Sequence, residues 1–397
     1  MEWFLLFIPP ILSGLFIGIL ALLKKLPESN NSGFWFTAVL GPTILGLIII
    51  PLMSTGFKEY ACSDTEYLSY YITKIRHYDE WDEWIHKTCT RKVYKGTDEN
   101  GHSIYEEEEY DCSYREFHPE RWSKFNNNGQ EIYTTEEDFN RIKSIWGTKS
   151  IFVDMHRHYY RIDGDAQDYD WCGEWFHIET ATYNHHYTNK IKGSGSVFND
   201  RKISEEEAKE LGLFNYPEPN RYEIDPNPIL GIEHVNGRHI KKFQYLNAYY
   251  GLTKQIHIFV LVFPKEVGAQ IIEDQKAYWD GGNKNEFIIC LGLDKPAGRI
   301  DWAGCFSWQD DTEMDVRCKN FLLDMKIIDL SKLADWIEQN LDMWKRKEFK
   351  DFDYIETPLT EGDIIGIMWT LIIVSILVLI GSLFIGRNLK NSYRYRY

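Results

Sequence analysis

Three long stretches without a charged residue lie at the two ends of this chain, and they constrain its fold more than any other feature. They run from about Trp3 to Leu23, from about Phe34 to Met53, and from Ile364 to Gly386. About 20 apolar residues in a helix cross the roughly 30 Å hydrocarbon core of a bilayer. The sequence therefore predicts three transmembrane helices in an integral, multi-pass membrane protein.

The first stretch has the flanks of a retained helix. A cleaved signal peptide carries a basic start and a small-residue cleavage site. This chain begins with Met1, Glu2 and Trp3, and Lys24 and Lys25 follow the stretch without an Ala-x-Ala site before them. We expect the first helix to remain in the mature protein.

Basic residues beside the three stretches predict the orientation, because cytoplasmic loops carry an excess of Lys and Arg. Lys24 and Lys25 lie in the short loop between the first two stretches. The basic residues that follow the third are Arg387, Lys390, Arg394 and Arg396. Both clusters are expected in the cytoplasm, which puts residues 57–362 outside it and the C-terminus inside.

The region predicted to lie outside is strongly acidic. It holds 38 of the 44 basic residues and 58 of the 60 acidic ones, a net charge of −20. Such a surface argues against nucleic acid as a partner, because nucleic-acid binding rests on neutralising phosphates. Basic protein faces or divalent cations are the expected partners, and the alternative is that the charge serves solubility alone.

All seven cysteines lie in residues 57–362, which is typical of an oxidising compartment where disulfides persist. The odd number leaves at least one thiol unpaired. Asn100-Gly101 is a strong signal for a two-residue β-hairpin turn. The register of that hairpin sets Lys92 opposite Glu109 and Lys95 opposite Glu106. It also sets Cys89 opposite Cys112, so a disulfide between these two is predicted.

The outer region changes character along its length. Residues 57–216 are rich in β-branched and aromatic residues that alternate with polar ones, which predicts strands. Residues 217–230 contain four prolines and are predicted to be a linker. Residues 231–347 show a strand-helix-strand order, predicting a parallel strand pair. The predicted fold class is an α+β outer domain, β-rich in its first half and α/β in its second, on three transmembrane α-helices.

The full predicted organisation follows from these ranges. It comprises helices within 1–25 and 33–55, the β-rich region 57–216, the linker 217–230, the α/β region 231–347, a juxtamembrane segment 348–363, a helix within 364–386 and a basic cytoplasmic tail 387–397.

Residues of about 245–345 resemble a TPM domain, a small extracytoplasmic α/β unit often tethered by a membrane helix. The resemblance rests on the strand QIHIFVLVF, a helix that ends at Tyr278-Trp279, the turn DGGNKN of residues 280–285, and the strand FIICLGL. It implies an accessory role in assembling membrane complexes, with weak phosphatase activity and calcium binding in some members. The sequence departs from that family at residues 299–308, where RIDWAGCFSW replaces a Gly-rich turn.

Two groups of residues have the spacing of metal ligands. Asp154, His156 and His158 share one face of a predicted strand and suit zinc. The residues able to supply a further ligand are His177, His185 and His186. The alternative is a partly exposed strand in a His-rich protein.

The second group is an acidic loop, DGDAQDYD. Its carboxylates are Asp163, Asp165, Asp168 and Asp170, oxygen ligands of the kind that suit calcium. The alternative is a solvated turn.

No Walker motif, nucleophile elbow, Cys-x-x-Cys pair or His-Glu-x-x-His helix occurs in the sequence. The leading hypothesis is therefore a membrane-anchored protein, more a binding or assembly factor than an enzyme, with a protein partner in the envelope. One alternative is a metal-dependent, phosphatase-like hydrolase that uses the His156/His158 strand or the acidic loop. Another is glycan binding through exposed aromatic rings.

Overall fold

A computed structural model describes residues 3–26, 32–99, 101–147, 150–153, 165–194, 201–217, 227–294 and 297–394. The α-helices are α1 (Ile8–Leu22), α2 (Ser32–Trp35), α3 (Gly41–Ala61), α4 (Glu136–Trp146), α5 (Lys190–Ser194), α6 (Glu205–Leu211), α7 (Gly237–Lys254), α8 (Ile271–Tyr278), α9 (Glu313–Met325), α10 (Leu330–Asn340) and α11 (Glu361–Arg394). The strands are β1 (Ser63–Tyr78), β2 (Trp81–Ile85), β3 (Thr88–Thr97), β4 (Ser103–Asp111), β5 (Tyr114–His118), β6 (Arg121–Asn126), β7 (Glu131–Thr134), β8 (Ser150–Val153), β9 (Ala166–Asp170), β10 (Thr180–Thr188), β11 (Ile229–Leu230), β12 (His257–Pro264), β13 (Glu286–Asp294) and β14 (Arg299–Ser307).

Three helical spans are long and apolar enough to cross a membrane, as the sequence predicts. They are Phe4–Leu22, Ser32–Ala61 and Glu361–Ile385. The second is longer than its apolar stretch, because α3 continues through Pro51 to Ala61. Apolarity marks the part of a helix that lipid favours, whereas its backbone hydrogen bonds continue beyond that part.

Close contacts at glycines bring the three apolar spans together. A Cβ atom on Gly46 would lie 2.9 Å from the Pro9 ring, and one on Gly41 would lie 3.0 Å from the Val378 side chain. Small residues let membrane helices approach closely, and packing between helices is a main source of their association. The sequence thus provides contact points between α1, α3 and α11.

The chain divides into two compact units. The first comprises Met1–Thr65, His186–Lys202 and Glu348–Tyr397, and it contains the three apolar spans. The second comprises Glu66–His185 and Ile203–Lys347. Most of the predicted linker, residues 218–226, lies outside the described residues.

The first half of the second unit is built on a six-stranded sheet. Its strand order is β7-β6-β1-β9-β8, and β10 also pairs with β1. Helix α4 packs against this sheet through Phe139, Ile142 and Trp146, which are buried with Ile72 and Ile75 of β1. The helix begins where the Thr135 side chain accepts a hydrogen bond from a backbone N–H, a standard N-cap.

The second half contains a four-stranded sheet in the order β11-β12-β13-β14. The strands β12 and β13 are parallel, as predicted, and β14 is antiparallel to β13. Nearly every residue of β12 and β13 is buried, because apolar clusters cover both faces of the sheet. Strands that are buried on both faces appear in a sequence as continuous apolar runs. For this reason β12 and β13 could be predicted from the sequence.

Residues 81–118 form an extended ribbon, here called the β arm. It consists of two antiparallel ladders in succession, β2 with β5 and β3 with β4, and each is a separate two-stranded sheet. Among the described residues 81–99 and 101–118, none is buried. The arm is thus held together by its own hydrogen bonds and side-chain pairs and not by a core.

The predicted register of the arm is wrong by two residues from Thr88 to Tyr94 and by one residue at Gly96 and Thr97. Lys92 faces Glu107 instead of Glu109, Cys89 faces Tyr110 instead of Cys112, and a bulge follows Tyr94. The cause lies at the turn, where Asp98 bonds to His102 through both its backbone and its carboxylate. That loop is one residue longer than a two-residue Asn-Gly turn, and longer hairpin loops are accompanied by a bulge.

The predicted disulfide is nevertheless consistent with the structure. Cys89 and Cys112 are bonded, with Cα atoms 5.8 Å apart, although they lie diagonally across the ladder. This separation is within the range that disulfides tolerate. The predicted charge pair of Lys95 and Glu106 also forms, at 3.6 Å.

Candidate functional site

Part of the predicted metal site lies outside the described residues. Asp154, His156, His158 and Asp163 belong to that part. Within the residues that the structure does describe, no group of three or more His, Cys, Asp and Glu side chains is placed to hold a metal ion. Zinc and calcium binding therefore remain predictions from the sequence.

Asp168 of the acidic loop lies on β9 and is engaged by two basic side chains. Its carboxylate accepts a hydrogen bond of 2.8 Å from Arg76 and pairs with Lys74 at 3.2 Å. Burial acts to raise the pKa of Asp168, but the Arg76 hydrogen bonds and both positive charges outweigh it and lower that pKa. Asp165 lies just before this strand, and Asp170 lies at its end.

The three additional histidines contact three different partners. The Nδ1 atom of His177 lies 3.5 Å from the thiol of Cys172, and that of His186 lies 3.0 Å from the hydroxyl of Thr65. The Nδ1 atom of His185 lies 2.7 Å from a carboxylate oxygen of Glu66. The predicted set is thus divided, and His185 leads to a different cluster.

This cluster is here called the buried polar centre after its two buried carboxylates, Glu66 and Glu286. Its other members are Tyr216, Asn283, Lys284, Arg346 and the half-exposed His185. Glu66, in the first half of β1, is 1% exposed. Besides His185, Lys284 lies 3.4 Å from one of its oxygens and Arg346 lies 3.8 Å from the other. A buried carboxylate is costly unless it is paired, and here basic groups from three distant parts of the chain surround one.

The second carboxylate of the buried polar centre is held differently. Glu286, at the start of β13, accepts hydrogen bonds from the Tyr216 hydroxyl and from the backbone and side-chain nitrogens of Asn283, the latter two at 2.8 and 2.9 Å. Burial raises the pKa of Glu286, and the nearby charge of Glu66 adds to this effect. The pKa of Tyr216 is raised well above its usual value, first by burial and then by Glu286.

A glycine turn makes room for these carboxylate contacts. Gly282 has φ +76°, and a Cβ atom there would lie 3.0 Å from the Glu286 carboxylate and 2.7 Å from Ile288. Only glycine meets both demands without strain. From the sequence, residues 280–285 are a predicted turn that forms part of the TPM resemblance, without buried polar contacts. The run Asn283-Lys284-Asn285-Glu286 directly before a fully apolar strand was the signal of buried polar contacts.

The exposed β arm contrasts with this interior cluster. Its large exposed side chains retain between 42% and 59% of their accessible surface: Trp84, Tyr94, Ile104, Tyr105, Tyr110, Tyr114 and Phe117. Large exposed apolar side chains that lie near one another on a surface are typical of binding sites. Tyr and Trp are also the residues that dominate protein–protein contacts.

Charge accompanies these aromatic rings. Residues 81–118 contain ten acidic and five basic side chains, a net charge of −5. Arg91 pairs with Glu108 at 3.3 Å, and Arg115 pairs with Asp82. The acidic side chains of the arm outnumber its basic ones by five, so the aromatic rings lie in a negative electrostatic field.

Comparison with known proteins adds nothing to either site. No family model, no curated protein and no solved structure matches this chain. The TPM resemblance of residues 245–345 is thereby neither supported nor refuted, and it stays a prediction.

Proposed function

We propose that this protein is a membrane-anchored binding or assembly factor. Its second unit would lie outside the cytoplasm, and its β arm would dock onto another envelope or membrane protein. The observation that carries the proposal is the β arm, in which no described residue is buried although seven large apolar side chains line it. A two-stranded ribbon of this kind is marginal in water, so its retention by the fold calls for a partner.

The disulfide supports a role for the arm outside the cytoplasm. Cys89 and Cys112 join the two strands near the base of the β3–β4 ladder, where no apolar core is available to hold them. Disulfides persist in oxidising compartments and stabilise segments that lack a core. The three apolar spans supply the anchor, with the C-terminal tail proposed to lie in the cytoplasm.

Site-specific crosslinking tests the docking proposal directly. A photoreactive amino acid at Tyr105, on the arm, is expected to capture one protein partner in intact membranes. The same group at Asp301, an exposed position on β14, is the control and should not capture it. Equal capture from both positions, or none from Tyr105, would contradict the proposal.

A shortened arm provides the complementary variant. Replacing residues 91–108 by Asn-Gly keeps Cys89 and Cys112 and removes three of the seven large exposed side chains, Tyr94, Ile104 and Tyr105, together with three of the four glutamates of residues 106–109. The expected result is loss of the partner on co-purification in mild detergent, with an unchanged melting temperature. Retention of a stoichiometric partner by this variant would show that docking does not use the arm.

The orientation can be tested with an existing thiol. Cys172 is exposed and free in the structure. A membrane-impermeant maleimide is expected to label Cys172 in intact cells. In a Ser392→Cys variant, the cysteine at position 392 in the tail is expected to stay unlabelled. Labelling confined to position 392 would reverse the proposed topology.

A further inference from the structure

The free edge of β4 points to the chemistry of the partner. The β3–β4 sheet has two strands, so on its outer side β4 is paired with no other described strand. Every residue of β4 is exposed. In such a strand, half of the backbone N–H and C=O groups point away from the paired neighbour and remain available to a further strand.

Four consecutive glutamates occupy this edge strand, and they divide between its two faces. Residues alternate across a strand, so Glu106 and Glu108 lie on one face, and Glu107 and Glu109 lie on the other. On the first face, Glu108 pairs with Arg91 and Glu106 pairs with Lys95. The charge of that face is therefore largely compensated within the arm.

The second face is different. Glu109 is opposite Thr90, and Glu107 is opposite Lys92, yet neither carboxylate forms an ion pair with any described residue. The Cα atoms of these two residues are about 7 Å apart, the repeat of alternate residues in a strand. Next to them the rings of Tyr94 and Tyr105 pack edge to face, with centroids 5.8 Å apart.

The same glutamates decide which strand can add to the edge. A second copy of β4 would bring glutamates beside glutamates, and like charges on neighbouring strands are destabilising. A strand with basic residues at alternate positions would instead set each of them beside Glu107 or Glu109. Strand addition supplies affinity through main-chain hydrogen bonds and specificity through alternate side chains.

We infer that the outer edge of β4 accepts an extended basic segment of the partner protein as a third strand, with Lys or Arg at alternate positions facing Glu107 and Glu109. This inference rests on the proposed docking function of the β arm and specifies the partner's chemistry. The Tyr94 and Tyr105 rings lie on the same face and can contact the aliphatic stems or cationic ends of those basic side chains.

Peptide binding to the full-length protein in detergent tests this inference. The probe is a labelled nine-residue peptide of alternating Lys and Thr, followed by fluorescence anisotropy at low salt. It is expected to bind, and a matching peptide of alternating Glu and Thr is expected not to bind. Equal binding of both peptides, or of neither, overturns the inference.

Charge-reversal variants locate the contact. The double variant Glu107→Lys/Glu109→Lys is expected to weaken binding of the Lys-Thr peptide at least about tenfold, because attraction becomes repulsion. The matched control is Asp301→Lys/Asp324→Lys, which changes the net charge equally at two exposed positions away from the arm. An equal loss in both variants would mean general electrostatic attraction and would overturn the assignment to β4.

A backbone-modified probe separates strand addition from simple charge attraction. N-methylation at alternate residues of the Lys-Thr peptide removes donors without changing its charge, and it is expected to abolish binding. Undiminished binding overturns the added strand. If crosslinking from Tyr105 still captures a partner while the peptide fails, the docking function stands and only the inferred partner chemistry is lost.

Discussion

The β arm and the buried polar centre use the same kinds of residue in opposite surroundings. In the arm, Glu108 and Arg91 pair in water, where each retains about half of its exposure. In the buried polar centre, Glu66 is almost fully enclosed with Lys284 and Arg346. Exposed pairs contribute little to folding, whereas a buried charge that loses its partner is strongly destabilising. Charges in the arm are therefore free to serve binding, and those in the centre are committed to the fold.

The largest difference is expected on removing one carboxylate from each region. Glu66→Gln leaves Lys284 and Arg346 without their buried counter-ion, and the expected loss in unfolding free energy is about 3–5 kcal/mol. Glu108→Gln, its counterpart in the arm, is expected to cost less than about 0.5 kcal/mol. Denaturant unfolding followed by tryptophan fluorescence measures both. Similar losses would mean that the two regions do not differ in the way described.

Replacing one glycine in each region by alanine is expected to separate the cost of backbone strain from the cost of steric contacts with the added Cβ atom. Gly282 and Gly101 both have positive φ, but a Cβ atom meets Glu286 and Ile288 at the first and open space at the second. Gly282→Ala is expected to destabilise the protein by about 3 kcal/mol, and Gly101→Ala by about 1 kcal/mol. Thermal unfolding of the two variants gives the comparison. A larger loss at Gly101 would reverse it.

Opposite pH responses are expected from a carboxyl group in each region. Burial raises the pKa of Glu286, so its contribution to stability is complete below its ordinary pKa of 4.5 and is lost as pH rises through the folded value. In the arm, hydrogen bonds from Ser113 lower the pKa of Asp111, so that contribution is lost as pH falls.

Melting temperatures between pH 4 and pH 8 test the sign for Glu286, and those between about pH 2 and pH 4 test the sign for Asp111. Glu286→Gln is expected to flatten the decline of the melting temperature as pH rises. Asp111→Asn is expected to leave that part of the profile unchanged. A decline that persists unaltered in Glu286→Gln would assign it to other groups.

The smallest global effect is expected from the disulfide. Cys89→Ser/Cys112→Ser should change the free energy of global unfolding by less than about 0.5 kcal/mol, because none of the described arm residues is buried in a core. Proteolytic cleavage within residues 88–112 should become much faster, since the strands separate locally. Limited proteolysis with mass spectrometry detects this, and an unchanged cleavage rate would show that the ladder holds without its disulfide.

The elements that the sequence predicted well depend on local patterns. The apolar spans and the parallel strands β12 and β13 are visible because uninterrupted apolar runs have few alternative structures. The hairpin was predicted from Asn100-Gly101, and its register failed because the Asp98 carboxylate widens the turn. Between Thr88 and Tyr94 the error is two residues, which keeps each side chain on its face, so Lys92 moved from one glutamate to the next on the same side.

The contacts of the buried polar centre could not be predicted from local sequence patterns. Its contacts join residues that lie up to 280 positions apart, from Glu66 to Arg346, and no local pattern announces a partner at that distance. His185 was proposed as a zinc ligand, because an isolated sequence shows the histidine and not the carboxylate beside it. The described part of the structure supplies that carboxylate, and the metal prediction at His156 and His158 is left to be tested separately.

The span of the buried polar centre has a consequence for biogenesis. Glu66 leaves the ribosome early, whereas its partners His185, Lys284 and Arg346 follow in sequence, the last of them 280 residues later. At roughly 5–20 residues per second, Glu66 waits for tens of seconds before its counter-ions are complete. During translation this carboxylate must therefore stay hydrated, so the second unit is expected to close only after most of the chain has been synthesised. A chain truncated before Arg346 would then fail to close its second unit and would be degraded by proteases.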